Sequence, residues 1–315
     1  MRGLKKPLAT VGLLLGLLLA GCQPRATPVP ATPAATSAPA TLPPATTIGT
    51  GQAVLRLATT TSIADTSLLN AILPDFSAKN NARVDVVAVG TGQAVAIGTS
   101  GDADVVLIPA GPDEQTFVAN GDGINRLDVM VNDYVIVGPK SDPASLRNLA
   151  VGADAFSLLA ELPGPFVSRG DHSDTNLLEL SLWATAGVTQ TTGTAWYQTA
   201  GQAMAETLAV ANQKPAYALT DRDTWLAQKA NLPNLDLLVG GATLADNKDP
   251  ALLNPYSVIP VSPAKHPKVN FDLATQFANW ITAADAQQMI FNFGRDKFGQ
   301  ALFYPSSAAW KAAHP

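Results

Sequence analysis

From Val54 onward, short apolar runs alternate with longer segments whose apolar residues recur at helical spacing. The runs at 54–58, 84–89 and 104–108 predict buried strands, and the apolar residues of 68–76 fall on one helical face. Pro74 lies inside that helical pattern and should kink or shorten the helix. Strands that alternate with helices at this spacing predict an α/β fold with a mostly parallel sheet.

A second α/β region begins after the apolar run 134–139. Its predicted elements are helices at 177–183 and 204–210 and a strand at 216–220. The run 254–261 predicts a strand that returns to the first region, and two helices follow it, at 271–281 and 284–293. The pattern therefore predicts two α/β regions, the first of which is completed by the C-terminal part of the chain.

The first 22 residues have the pattern of an export signal. Arg2, Lys5 and Lys6 precede an apolar run, 8–20, which is too short to span a bilayer. The segment ends in Leu-Ala-Gly-Cys, which looks like a bacterial lipobox. We therefore expect a lipoprotein signal peptide at 1–21 and a lipid on Cys22. The mature protein would be exported and held by that lipid on the periplasmic or cell-surface face of a membrane.

Residues 22–53 are dominated by proline, alanine and threonine, a composition that cannot bury a core. We expect this segment to be an extended tether between the lipid and the folded body. Cys22 is the only cysteine of the chain, so no disulfide can form within it. Because the expected lipid consumes the thiol of Cys22, we expect neither thiol catalysis nor a thiolate metal site.

Composition and charge narrow the possible functions of the body. Of the 315 residues, 47% are apolar, which is enough to build real cores. Without the three basic residues of the signal, 17 basic residues face 25 acidic ones, a net charge of −8. A nucleic-acid partner is not expected, because it would need a basic face. Any bound anion must be attracted by local N–H groups and one or two cations, since the overall field repels it.

One hydroxyl-rich turn carries the first candidate site. At 58–65 a predicted strand ends at a run of threonine and serine that begins a predicted helix. The first N–H groups of a helix have no intrahelical partner, and the helix dipole adds to their attraction for negative charge. The sequence therefore predicts that Thr60, Thr61 and Ser62 hold part of a small oxyanion.

Two further turns place similar residues between a strand and a helix. In the turn at 89–94, glycines would let the backbone approach a ligand, and our candidates there are Thr91 and Gly92. The alternative is an ordinary glycine turn. In the turn at 217–223 the candidate is Thr220, and we expect Asp221 and Arg222 to form a local ion pair.

The turn at 166–176 adds a cation. Arg169 offers a planar array of donors that suits a tetrahedral oxyanion, and Ser168 and Ser173 offer hydroxyls at a predicted helix start. The alternative for Arg169 is an ion pair with Asp171 or Asp174, which could themselves cap the helix. Both can hold while the guanidinium faces a ligand.

The sequence contains few of the motifs that catalysis, a metal site or a cofactor site would need. His172, His266 and His314 are not at metal-ligand spacing, and the chain has no P-loop motif or G-x-G-x-x-G fingerprint. We therefore expect no enzyme activity, no metal and no cofactor. An exported hydrolase built on Ser173 and His172 is the rival from another class, although the chain lacks the G-x-S-x-G turn of such enzymes.

Eight runs, in this order, resemble the tungstate-binding proteins of bacterial ABC importers, which are relatives of the molybdate- and sulfate-binding proteins. The resemblance rests on the ordered set and covers nearly the whole body, from about Leu55 to Pro305. The runs are 58–62, 88–94, 101–105, 123–126, 132–139, 166–171, 219–222 and 254–256. The chain departs from the family at 171–176, where Asp-His-Ser-Asp-Thr-Asn replaces the usual Asp-Asp-Ser-Gly-Thr-His.

The resemblance implies a type II periplasmic-binding-protein fold, an α/β fold with two lobes, a ligand cleft and two crossover strands. Lobe one would comprise 54–138 and 255–315, and lobe two 139–254. The implied function is capture of tungstate for an ABC importer, with the importer's permease and ATPase as partners, and we expect a monomer. Thr60, Thr61, Ser62, Thr91 and Gly92 would bind from lobe one, and Ser168, Arg169 and Ser173 from lobe two.

The identity of the anion remains open on physical grounds. Tungstate and molybdate are nearly the same size, so only the resemblance separates them. Like tungstate and molybdate, sulfate needs only hydrogen-bond donors from its site. Phosphate near neutral pH carries a proton, which needs an acceptor in the site. Asp171 or Asp221 facing the cleft would therefore favour phosphate.

Overall fold

The computed structural model describes residues 43–147, 149–161, 164–188 and 194–314. The expected signal segment, Cys22 and most of the expected tether lie outside these residues. Within the described ranges, no helix has both the length and the apolar character needed to cross a membrane.

Strands and helices alternate through most of the described chain. The strands are β1 (Thr46–Ile48), β2 (Ala53–Thr60), β3 (Ala82–Val89), β4 (Val105–Pro109), β5 (Leu127–Pro139), β6 (Phe166–Ser168), β7 (Tyr197–Thr199), β8 (Ala218–Asp221), β9 (Leu235–Val239), β10 (Leu253–Pro260) and β11 (Tyr304–Pro305). The helices are α1 (Thr61–Thr66), α2 (Leu68–Asn80), α3 (Thr91–Ser100), α4 (Pro112–Ala119), α5 (Gly152–Glu161), α6 (Asp174–Thr185), α7 (Met204–Gln213), α8 (Arg222–Gln228), α9 (Phe271–Ile281), α10 (Ala284–Asn292), α11 (Arg295–Phe298) and α12 (Ala308–Ala313).

The larger sheet orders its strands β1-β3-β2-β4-β10-β5-β11, and β8 and β9 pair with β5 as well. β2 lies parallel to both β3 and β4, as the strand–helix–strand pattern predicts. β10 is antiparallel to β4 and β5. β6 and β7 form a second, parallel pair. The sheet is thus parallel where helices connect its strands and antiparallel where β5 and β10 enter it.

β5 joins two α/β lobes because it changes partner along its length. Its residues up to Asp133 pair with β10, residues 134–137 pair with β8, and residues 136–139 pair with β9. β10 pairs in turn with β4, so β5 and β10 are the two strands that pass between a lobe built on β2–β4 and a lobe built on β6–β9. We propose that the lobe boundary in β5 lies near Asp133, earlier than the expected boundary after Gly138.

Each lobe has its own aromatic core. In the first, Phe76 of α2 packs edge-on against Phe277 of α9, with ring centroids 5.2 Å apart. In the second, Phe156 and Phe166 surround the buried Trp183, with centroids 4.5 and 5.1 Å from it. Such aromatic pairs add about 0.5–1.5 kcal/mol each beyond the area they bury. These cores fix the strand and helix ends from which the site is built.

Two local features differ from expectation. α2 runs unbroken from Leu68 to Asn80 and is not shortened at Pro74, because its apolar face is buried on both sides of the proline. The last part of the expected tether is ordered, since β1 pairs antiparallel with β3 at the edge of the larger sheet. Its residues, two threonines and an isoleucine, are β-branched and suit an edge strand.

Candidate functional site

A small cavity lies where the two lobes meet. It has a volume of about 10 Å³, far below the roughly 300–1,000 Å³ of sites for drug-sized ligands. Its size therefore suits a group of a few atoms. Its lining residues are Thr60, Thr61, Ser62, Val89, Gly90, Thr91, Pro109, Tyr134, Arg169, Ser173, Asp174, Thr175, Asp221, Asn254 and Tyr256.

Four helices begin at this cavity, two from each lobe. Thr60 is the N-cap of α1 and Gly90 that of α3, and neither cap residue uses a side chain to satisfy the helix start. Ser173 caps α6 and Asp221 caps α8 through their side-chain oxygens. Since the first N–H groups of a helix lack intrahelical partners, the four helix starts surround the cavity with donors and with positive dipole ends.

The lobe-one wall is neutral. Thr60 is 4% exposed, and its Oγ1 is buried without a hydrogen-bond partner. The neighbouring Thr59 instead donates to the backbone oxygen of Leu107 at 2.7 Å, so its hydroxyl is used inside the sheet. A Cβ placed on Gly90 would meet only open space. This wall therefore offers hydroxyl and amide donors with room beside them.

The lobe-two wall is charged. Arg169 is 4% exposed and donates to Asp171 Oδ2 from Nη2 at 2.6 Å and from Nε at 3.1 Å. The other oxygen of Asp171 accepts from Ser173 Oγ at 2.7 Å. The ion pair anticipated as the alternative is thus present, and Arg169 also lines the cavity. Asp171 holds Arg169 and Ser173 in one arrangement.

Two carboxyl groups share that wall with Arg169. Burial raises the pKa of Asp174 to about 6; the hydroxyl of Thr91 beside it opposes this rise, and Asp113 adds to it. Oδ2 of Asp174 and Oδ2 of Asp221 are both buried without a partner. The cavity therefore contains acceptor atoms as well as donors.

The carboxyl group of Asp223 lies beside that of Asp221. Its Oδ1 accepts hydrogen bonds from the backbone and the hydroxyl of Thr224. Burial raises the pKa of Asp223 well above its ordinary value, and the adjacent Asp221 raises it further. Burial and the neighbouring carboxyl thus favour the neutral form of Asp223.

The crossover strands supply the floor. Tyr134 lies on β5, and Asn254 and Tyr256 lie on β10, with Asn254 Nδ2 donating to the Tyr256 hydroxyl at 3.1 Å. Burial raises the pKa of both tyrosines well above the ordinary value, so both remain neutral hydroxyls. Sequence reasoning missed these three residues. The signal was the spacing of Asn254 and Tyr256, which places both on one face of a strand.

Six of the nine predicted ligand-binding residues line the cavity, namely Thr60, Thr61, Ser62, Thr91, Arg169 and Ser173. The other three, Gly92, Ser168 and Thr220, do not. Ser168 donates to Glu179 Oε2 at 2.6 Å, and Thr220 donates to the backbone oxygen of Asp221 at 3.1 Å. Gly92 lies within the first turn of α3, where a Cβ would face Asp113. Their contacts make Ser168 and Thr220 buried supports beside the lobe-two wall.

Within the described residues 194–314, Asp221 and Arg222 do not form the expected ion pair. Arg222 donates instead to both carboxylate oxygens of Asp133, at 2.6 and 2.7 Å, and to the backbone oxygen of Gly241 at 2.8 Å. Arg222 thereby joins α8 to the crossover strand β5. Arg222 is therefore not a partner of Asp221, whose carboxyl neighbours that of Asp223 instead.

The geometry does not favour a hydrolase. Ser173 Oγ donates to Asp171 and accepts from the backbone N–H of Asn176, as a helix cap does. His172 is exposed, and its backbone N–H donates to Asn176. Within the part of the chain that the structure describes, no group of three or more His, Cys, Asp or Glu side chains is placed to hold a metal ion.

Comparison with known proteins identifies the fold and the relatives. A family model described as "PBP superfamily domain" matches residues 35–285. An ABC transporter anion-binding protein of Haloferax volcanii is 45% identical, over 80% of this chain and 72% of its own. The tungstate-binding protein TupA of Peptoclostridium acidaminophilum is 42% identical, over 80% of this chain and 85% of its own.

A solved structure agrees with these relatives. The crystal structure of the tungstate ABC transporter from Geobacter sulfurreducens is 44% identical to this chain and superposes with a TM-score of 0.68. The match covers 76% of this chain and 99% of that one. The two-lobed type II periplasmic-binding-protein fold expected from the sequence is confirmed.

Proposed function

Because the chain belongs to the PBP superfamily and, within it, to the family of the TupA tungstate-binding proteins, we propose that it captures tungstate for an ABC importer. In this role it is a solute-binding protein and not an enzyme. Its partners are the permease and ATPase of the importer. It works outside the cytoplasm as a monomer, anchored through a lipid on Cys22, which lies outside the described residues.

The observation that carries the proposal is the convergence of four helix starts and one arginine on a cavity of about 10 Å³. A tetrahedral oxyanion is a small acceptor with oxygens in four directions, and donors from two lobes can approach it from opposite sides. Both sets of donors engage only when the lobes are closed. The ligand therefore favours the closed state, and its release requires opening.

Phosphate is a second candidate that one observation favours. Asp174 and Asp221 line the cavity, and each has an oxygen without a partner. Either oxygen could accept the proton of monohydrogen phosphate, which tungstate, molybdate and sulfate do not carry near neutral pH. Molybdate and sulfate remain alternatives on the donor side of the site. Family membership is what ranks tungstate first.

Thermal unfolding with each of the four oxyanions tests the proposal. A ligand that binds only the folded state stabilises it by about 2.7 kcal/mol at one hundred times its dissociation constant. We expect the largest rise in Tm with tungstate, followed by molybdate. A largest rise with phosphate would support the second candidate. No shift with any of the four would contradict oxyanion binding and return attention to Ser173 and His172.

A further inference from the structure

The charges around the cavity do not balance for a dianion. Arg169 is the one cation among the lining residues, and its Nη2 and Nε already donate to Asp171. Asp174 and Asp221 bring two more carboxyl groups to the same space. If both were ionised, a doubly negative ligand would meet more negative than positive charge at short range. Some of that charge must be neutralised when the ligand binds.

The unpartnered atoms show where this can happen. Thr60 Oγ1, Asp174 Oδ2 and Asp221 Oδ2 are buried, and their residues line the cavity. The threonine hydroxyl can donate to an oxyanion. An ionised carboxylate cannot, because its oxygens, like those of the dianion, only accept. A carboxyl group that faces the ligand therefore needs a proton between itself and the anion.

Asp174 is the better placed of the two carboxyl groups to take that proton. Asp221 already accepts two hydrogen bonds from Thr224, and its carboxyl also has a side-chain hydrogen bond with that of Asp223. Oδ1 of Asp174 packs against the backbone of Gly111, because a Cβ built on that glycine would lie only 2.9 Å from this oxygen. Its Oδ2 is the unpartnered atom. The charged and titratable groups around Asp174 are Asp113 of α4, Arg169 and Asp171 before α6, the exposed His172, Tyr134 of β5 and Asp221 of β8.

On the basis of the oxyanion function proposed above, we propose that capture of the anion is coupled to uptake of one proton by the Asp174 carboxyl. The proton comes from solvent, and it converts Asp174 from a repelling carboxylate into a neutral hydrogen-bond donor facing the ligand. A carboxylic acid kept neutral by its surroundings can serve as such a donor. On release of the anion the proton returns to solvent, so no other reactant is needed.

The pH dependence follows from this coupling. Burial, with Asp113, holds the pKa of the free Asp174 at about 6, and a bound anion raises it further. Below the free pKa the proton is already present, and binding takes up none. Between the free and bound pKa values, binding takes up about one proton, and affinity falls by up to about tenfold for each pH unit. Tungstate is then held more tightly in mildly acidic than in alkaline medium.

Calorimetric titration with tungstate tests the coupling. Titrations at about pH 5 and about pH 8, each in two buffers that differ in ionisation enthalpy, give the number of protons taken up per bound anion. We expect a value near zero at the lower pH and near one at the higher pH. In Asp174→Asn the uptake should disappear, and the affinity should become nearly independent of pH.

Asp65→Asn is the matched control. Asp65 does not line the cavity, yet partial burial, with Glu206 and Asp221, also raises its pKa to about 6. Proton uptake should persist in this variant. Uptake that is lost in Asp65→Asn and kept in Asp174→Asn would overturn the assignment.

The full-length protein gives a second readout that does not depend on the variant folding. Infrared difference spectra, taken at about pH 8 with and without tungstate, should show the band of a protonated carboxyl group appearing on binding. Tungstate binding with no proton uptake and no such band would overturn this inference and leave the proposed function intact. Absence of binding by any of the four oxyanions at either pH would overturn both.

Discussion

The two walls of the cavity are built on the same plan and carry opposite kinds of chemistry. Each contributes two helix starts, α1 and α3 from one lobe and α6 and α8 from the other. The lobe-one wall presents neutral side chains and an open glycine, whereas the lobe-two wall presents Arg169 with Asp174 and Asp221. In the proposed function, the neutral wall binds the oxyanion through hydroxyl and amide donors. In the proposed proton coupling, the charged wall sets how much negative charge is accepted and at which pH.

The largest expected effect comes from breaking the charged wall at its cation. Arg169→Ala should weaken tungstate binding by about 10- to 150-fold, because a hydrogen bond to a charged group contributes about 1.5–3 kcal/mol. The affinity of Arg169→Lys should lie between those of the parent and of Arg169→Ala, since lysine keeps the charge and loses the planar donors. The measurement is isothermal titration calorimetry. An unchanged dissociation constant in Arg169→Ala would remove Arg169 from the site.

Arg147→Ala is the matched control for this experiment. Arg147 also lies in lobe two, but it forms an exposed ion pair with Asp236. Losing such a surface pair costs little stability, and Arg147 is not among the residues that line the cavity. The affinity for tungstate should therefore stay within about twofold of that of the parent. A comparable loss in both arginine variants would point to a general effect of charge on the protein and not to a contact with the anion.

The neutral wall can be broken without touching a charge. A Cβ on Gly90 meets open space, and φ at this residue is −67°, so alanine fits the backbone. The added methyl would occupy part of a small cavity, and overpacking of this kind costs about 1–3 kcal/mol. Gly90→Ala should therefore weaken tungstate binding while Tm without ligand changes little. Full affinity in this variant would show that the anion does not lie against α3.

Asp174 should also affect the stability of the free protein. Its pKa is about 6 in the folded state against 3.8 for the free side chain, so the folded state holds the extra proton between these values. Stability from this residue is therefore lost as the pH rises from about 4 to about 6, by at most about 1.4 kcal/mol per pH unit. Asp174→Asn should be more stable than the parent at about pH 7, and the difference should shrink towards about pH 4. Urea unfolding at both values measures it, and a difference that does not depend on pH would contradict the raised pKa.

The smallest expected effect concerns the unpartnered hydroxyl of the neutral wall. Thr60→Val keeps the shape and removes Oγ1, which has no partner in the free site. Binding should weaken by about 0.5–1.5 kcal/mol, while the free protein becomes slightly more stable because a buried unpaired group is gone. Calorimetry and thermal unfolding together check these opposite signs. Parallel changes in affinity and stability would mean that Thr60 acts through folding alone.

Much of the fold could be predicted because its signals are local. The β-branched runs and the helical spacing of residues such as Leu69 and Phe76 are visible in any window of the sequence. The continuation of α2 through Pro74 could not be predicted from a local window, because it depends on burial against the sheet. The pairing of β1 with β3 was also hidden, because proline-rich composition masked a short β-branched strand.

The site residues could be predicted only where they lie at or just before the start of a helix. Thr60, Thr91 and Ser173 stand at such starts, and Arg169 stands just before one. Tyr134 and Asn254 lie within strands that meet only in the folded protein, so no local pattern brings them together. The roles of Asp221 and Arg222 were hidden for the same reason, because Asp133, the true partner of Arg222, is distant in the sequence.

A crystal structure with tungstate would show whether one oxyanion is held between the two walls. Tungsten gives a strong anomalous signal, so the position of the anion can be located without interpretation of its shape. We expect one anomalous peak in the cavity, with anion oxygens within about 3.2 Å of both Thr60 Oγ1 and the Arg169 guanidinium. A peak elsewhere, or contacts to one wall alone in a closed molecule, would contradict it.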